Sequence, residues 1–150
     1  MADIDEVVAH RRVIEAIDAL FIATDEKNWE GVKACFTKNV RFDMSSAGGG
    51  PERERPAEEI ADEWARNLAG LQAIHHQAGN YRVRLLGTRA EASCYGIASH
   101  YLPKASGRST RVFVGSYDFE LVRDAERFRI SAFRYNLKFI EGNRELETSD

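Results

Sequence analysis

Along the first part of the chain, apolar side chains return every three or four residues. Between Asp5 and about Glu26, the residues Val7, Ile14, Ile17, Leu20 and Phe21 recur with charges between them, the spacing of an amphipathic helix of roughly six turns. A shorter helix is predicted next. In N-W-E-G-V-K-A-C-F, Asn28 can cap the first turn while Trp29, Val32, Cys35 and Phe36 fall on one side. The period then changes: V-R-F-D-M alternates as a half-buried strand does and runs into the flexible loop S-S-A-G-G-G-P. Beyond it, Pro56 suits the first turn of a third helix, with Ile60, Trp64 and Leu68 at i, i+4 and i+8.

From residue 72 onward every periodic segment reads as strand. Four of them, roughly 73 to 87, 90 to 103, 110 to 123 and 126 to 141, are divided by the turn signals L-G-T-R, P-K-A-S-G-R and R-D-A-E, as successive antiparallel hairpins would be. Helices first and a long meander afterwards indicate an α+β layer fold. Neither an internal repeat nor a linker interrupts the pattern, so residues 1–150 are expected to form one domain, and the polar tail G-N-R-E-L-E-T-S-D is expected to fray.

Composition narrows the partners. A 150-residue chain that is 43% hydrophobic can bury a single sizeable core. Its formal charge of −3 offers no basic stripe for a phosphate backbone and no polybasic segment for anionic lipid, which argues against nucleic acid and membrane and for a small, weakly charged ligand. The start, M-A-D-I-D-E-V-V-A-H-R-R, lacks the apolar core of a signal peptide, so a cytoplasmic protein is expected. Cys35 and Cys94 stand far apart inside apolar segments and read as buried thiols.

Four side chains carry the candidate chemistry. On the wheel of the first helix, Asp25 lies about 40° from Phe21 at the border of the apolar stripe, where a carboxylate is either solvated at a fraying end or satisfied by a donor inside the fold. Asp18, one step further round, reads as solvent-facing. In A-S-C-Y-G-I-A-S-H-Y, the parity of His100 holds Ala92, Cys94, Gly96 and Ala98, a face emptied of bulk that suits either a pocket floor or a seat for a packing helix. His75 and His76 are adjacent on a strand, so at most one can look into such a pocket. The histidines share neither H-x-H nor H-E-x-x-H spacing, and no metal site is expected.

The order of a helix ending in D-x-x-x-W, a strand ending in F-D, a helix with Trp64, then H-H-x-x-x-N and a strand ending in A-x-H resembles the SnoaL-like members of the nuclear transport factor two superfamily. Within them the chain is most similar to the branch containing scytalone dehydratase and hexachlorocyclohexane dehydrochlorinase, over nearly all of residues 5–143. That resemblance implies a cone-shaped fold: a strongly curved mixed β-sheet wrapped around a pocket and closed by N-terminal helices. It also implies that Asp25 takes the place of the family acid in T-D-E-K-N-W, that His76 and His100 take the places of the two family histidines, and that His75 faces away. Thr24 and Met44 stand where the dehydratase has tyrosines that hold a water against the substrate carbonyl.

The reading that follows is a cofactor-independent lyase or isomerase for a small, largely apolar, cyclic or aromatic oxygenated molecule. His76 would abstract a proton from carbon, Asp25 would fix its tautomer, and His100 would donate to a departing or developing oxygen. Arg134 stands as an anion partner or else a salt-bridged surface arginine, and Phe42, Met44, Trp64, Tyr117 and Tyr135 as apolar walls or plain core. The long meander resembles surfaces through which relatives form dimers or trimers, so a homo-oligomer is expected. The rival is a binding or assembly module of the same fold, which a pocket filled by side chains would favour.

Overall fold

The structure, a computed structural model, describes residues 4–147. Three helices, α1 (Ile4–Asp25), α2 (Trp29–Cys35) and α3 (Ala57–Leu68), accompany six strands, β1 (Phe36–Asp43), β2 (Arg53–Pro56), β3 (Ala73–Leu86), β4 (Arg89–Tyr101), β5 (Thr110–Asp124) and β6 (Arg127–Gly142). The strands form one sheet in the order β2-β1-β6-β5-β4-β3. The last four make the expected antiparallel meander, and β1 joins β6 in parallel, so the sheet is mixed and the fold is α+β. β2, a four-residue edge strand with Pro56 at its end, has too short a pattern to be read in sequence.

The helices cover one face of the sheet. On α1 the buried stripe runs through Ala9, Val13, Ile17, Leu20, Phe21 and Thr24, a step round from the expected one. Val7, placed on that stripe by its spacing, is 58% exposed, because burial along the helix begins only at Ala9. Facing rows of the sheet supply Phe42, Phe133, Phe119 and Ala92, which are cross-strand neighbours from β1 to β4. Burying such side chains is worth about 1.5–3 kcal/mol each for the large apolar ones. Asn28 caps α2 as expected, its side chain accepting from Gly31 N at 3.0 Å.

A bulge in β3 sets which residues face inward. Register shifts between Gly79 and Arg82, with Asn80 in the left-handed region at φ 56°. The extra residue switches parity, so that His76 and Ala78 face the helices before it and Tyr81, Val83 and Leu85 after it.

The tail does not fray over its described part. Gly142 turns it at φ 90°, where a Cβ would lie 2.2 Å from Thr110 O, and Asn143 N donates to that carbonyl at 2.8 Å. Leu146 is then fully buried against Leu71 and Ile74. The burial of Leu146 joins these hydrogen bonds in docking an otherwise polar run. Among the described residues, no helix is long and apolar enough to cross a membrane.

Candidate active site

Helix α1 ends in a way that puts a carboxylate inside the fold. Lys27 adopts φ 55° and donates from its amide to Thr24 O, while Asn28 N donates to Ala23 O, the paired bonds of a Schellman termination. Lys27 also sends its ammonium to Leu71 O at 2.6 Å, tying the turn to the loop before β3. Asp25 is therefore fixed in the last turn, the negative end of the helix dipole, where a carboxylate is disfavoured unless donors reach it. β3 provides two: His76 donates from its backbone N to Oδ2 at 2.9 Å, and its Nδ1 lies 2.6 Å from Oδ1. Phe21, one turn back on α1, stacks on the imidazole with centroids 5.2 Å apart and planes 12° from parallel.

A carboxylate only accepts, so Nδ1 of His76 carries a proton, and the neutral form of the ring has its lone pair on Nε2. The ring lines a cavity of about 200 Å³ shared with Phe21, Thr24, Met44, Trp64, Asn67, Leu68, Ala98, His100, Phe113, Tyr117, Phe133 and Tyr135. Ala98 is the cross-strand neighbour of His76, and His100 follows two residues on, which brings both histidines to one space. His75, as expected, faces out and is exposed.

His100 is 8% exposed and meets Arg111, whose Nη2 lies 2.7 Å from Nδ1. Burial, and next the Arg111 charge, push its pKa down from 6.5 to about 4. It is a neutral imidazole near pH 7. Tyr135, 4% exposed, has a hydroxyl with no hydrogen-bond partner, and burial pushes its pKa up to about 12. It sits against Tyr117 with ring centroids 4.9 Å apart.

The structure thus lines one cavity with His76, His100, Met44, Trp64, Tyr117 and Tyr135, holds Asp25 behind His76, and leaves Arg134 and Phe42 outside it. Arg134 lies on the opposite parity of β6 from Phe133 and Tyr135, is 49% exposed, and pairs with Asp43 at 3.2 Å and Glu52 at 3.6 Å. It lines a wide, charged groove on the far side of the sheet, where Arg41 is likewise bound to Glu52 and Glu120. Those charges neutralise one another. Phe42 is core behind the wall, stacked on Phe133 at 5.2 Å under the Arg55 guanidinium.

The small-residue face of β4 is only partly pocket floor. Ala92 and Cys94 are packed in the main core, and the space above Gly96 is taken by the Tyr117 ring, which a Cβ there would meet at 2.4 Å. Only Ala98 and His100 reach the cavity. Asp18 is not solvent-facing either: it accepts from Tyr81 OH, a residue that the β3 bulge turned inward. Cys35 is half-buried rather than buried. Among the described residues, no three His, Cys, Asp or Glu side chains converge as a metal site would need.

Sequence reasoning missed Asn67, Phe113, Phe133 and Arg111. Phe113 and Arg111 are cross-strand partners of Ala98 and His100, so counting back from the P-K-A-S-G-R turn would have found them.

A family model described as a SnoaL-like domain matches residues 5–134. No curated protein matches the chain. Among solved structures, the Kfla4162 protein of Kribbella flavida is 23% identical, covering 89% of this chain and 93% of its own, with a TM-score of 0.84. A provisionally named scytalone dehydratase of Novosphingobium aromaticivorans is 12% identical over 92% of this chain and 89% of its own, TM-score 0.78. A hexachlorocyclohexane dehydrochlorinase of Novosphingobium barchaimii is 11% identical over 99% of both, TM-score 0.76. At these identities the likeness is one of fold.

Proposed function

The chain belongs to the SnoaL-like domain family, and we propose that it is a lyase or isomerase in which His76 is the general base. The observation that carries this reading is the Asp25–His76 pair, 2.6 Å apart, with the free nitrogen of His76 left to an apolar cavity. In the reaction, Nε2 of His76 takes a proton from substrate carbon. The electrons of that C–H bond form a C=C bond while a leaving group departs with its own pair, or they delocalise into an adjacent carbonyl. Asp25 holds the ring's tautomer and stabilises the imidazolium that results. The structural neighbours named as a dehydratase and a dehydrochlorinase are consistent with chemistry of this kind.

Size and polarity bound the substrate. An engineered apolar cavity of about 150 Å³ accepts benzene, so about 200 Å³ suits one substituted ring. Neither lysine nor arginine lines the space and His100 is neutral, so the ring is uncharged. A cavity left open also supports catalysis over a module whose interior is filled. The whole protein is a small-molecule enzyme on this reading, and it works without a cofactor.

The test is hydrogen exchange. Incubation in D₂O with a panel of cyclic ketones, β-hydroxy ketones and β-halo rings, followed by NMR, is expected to reveal exchange or elimination with at least one member and none with His76→Ala. Exchange that survives in His76→Ala would sink the assignment.

A further inference from the structure

Arg111 touches no part of the cavity and yet holds one of its histidines. Its Nη2 reaches Nδ1 of His100 at 2.7 Å, while Nη1 donates to Glu147 Oε2 at 2.7 Å and Nη2 also contacts Glu147 Oε1. A guanidinium has five N–H donors, no acceptor and a charge it does not lose, so Nδ1 of His100 can only be the acceptor of this bond.

We propose that Arg111 is a positioning residue which, anchored by Glu147 of the C-terminal segment, fixes His100 as the neutral Nε2–H tautomer and so makes it a hydrogen-bond donor to an oxygen of the substrate. The cavity then holds two imidazoles in opposite tautomers. His76 donates a hydrogen bond from Nδ1–H to Asp25 and presents a lone pair; His100 accepts a hydrogen bond from Arg111 at Nδ1 and presents an N–H. One ring accepts a proton from carbon and the other stabilises negative charge on oxygen without giving its proton away. A neutral histidine serving as electrophile beside a separate base is an established division of labour in enolising enzymes. The substrate class follows: a ring bearing a carbonyl or hydroxyl oxygen beside the acidic C–H, rather than a ring carrying halogen alone.

The described tail is part of this device. The Arg111 side chain is only 12% exposed, and a buried guanidinium without a counter-charge is costly. Glu147 is delivered to it by the turn at Gly142, by the Asn143 side chain donating to Arg108 O at 3.1 Å, and by the burial of Leu146. The groups that face His100 are Arg111 from β5, Glu147 from the tail, His76 from β3 and Asp25 from α1. Burial, then Arg111 and then His76 hold the added proton off, and Glu147 and Asp25 oppose them more weakly.

The substrate claim rests on the proposed reaction, but the tautomer does not, and it can be read from the protein alone. In long-range ¹H–¹⁵N spectra of the full chain at neutral pH, His100 is expected to show a protonated Nε2 and a bare Nδ1, and His76 the reverse. Arg111→Met should mix the His100 tautomers and move its titration midpoint up from about 4, whereas Arg111→Lys, which still offers a donor, should keep the Nε2–H form. Glu147→Gln should give a spectrum between wild type and Arg111→Met. A wild-type His100 with a protonated Nδ1 overturns the proposal whether or not the variants fold, and an unchanged spectrum in Arg111→Met does the same. An inactive substrate panel with the expected spectra would instead count against the proposed reaction alone.

Discussion

Asp25 binds His76 twice, once through the ring and once through the backbone amide beside it. The second bond matters because it fixes the strand to the helix end, so that the ring and the carboxylate stay within reach of each other. Asp25→Asn keeps the shape of the side chain and removes its charge. Turnover on any substrate found by the exchange screen is expected to fall by about 10²- to 10⁴-fold, the range of general-base assistance, while the thermal unfolding curve stays cooperative. Full activity in a folded Asp25→Asn would reduce Asp25 to a helix-end residue.

The neighbouring histidines separate register from chemistry. His75 is exposed on the outer face of β3 and His76 lines the cavity. His75→Ala should leave turnover within about twofold, and His76→Ala should remove most of it, because adjacent strand residues never share a face. Equal losses from the two would mean that the strand is slipped by one residue.

The inward face of β3 could be read as far as the bulge and no further. Simple alternation set His75 and His76 on opposite faces and gave the β4 face, the family resemblance chose His76 as the inward one, and alternation holds while each residue pairs with one partner. At Asn80 one residue is inserted, and nothing in A-G-N-Y announces it except an asparagine able to take positive φ. Asp18 was misjudged for that reason, since its partner Tyr81 lies just past the insertion. For Arg134 the structure took the second of its two readings, a salt-bridged surface arginine. Its parity was legible, but the side of β6 that faces the cavity depends on which strands flank it, and the parallel pairing with β1 is a long-range event. For Asp25 the apolar stripe left two outcomes open, a solvated helix end or a donor inside the fold, and the family resemblance pointed to His76 as that donor.

Tyr135 carries a hydroxyl that nothing in the protein satisfies. Tyr135→Phe deletes that buried, unpaired group and keeps the ring, so urea unfolding should show stability unchanged or raised by up to about 1 kcal/mol, less than the roughly 1–3 kcal/mol such a group can cost. A clear loss of stability in Tyr135→Phe would mean that the hydroxyl has a partner in the folded protein.

Arg134 serves as a control on the site boundary. Its pairs with Asp43 and Glu52 are half exposed, and exposed pairs contribute about 0.2–1 kcal/mol. Arg134→Ala should therefore lower stability by no more than about that amount and leave turnover unchanged. A large fall in turnover at preserved stability would return Arg134 to the reaction.

His100 should make stability depend on pH in a window that carboxylates leave clear. Its pKa is near 6.5 in the unfolded chain and about 4 in the folded one, so the unfolded state gains a proton first as pH falls. Above 6.5 neither state is protonated there and the full contribution is present. Between 6.5 and about 4 the unfolded state alone is charged, and stability declines by up to about 1.4 kcal/mol per pH unit. Below about 4 this contribution no longer changes. The whole loss is on the order of 3 kcal/mol, of which about half falls above pH 5, before most carboxylates titrate. Denaturant midpoints at pH 7.5, 6 and 5 should thus fall more steeply for wild type than for His100→Asn, which has no group to charge at that position. Parallel curves would mean that His100 titrates alike folded and unfolded, and an imidazole free to gain a proton near pH 6 could not be the neutral donor that faces the cavity.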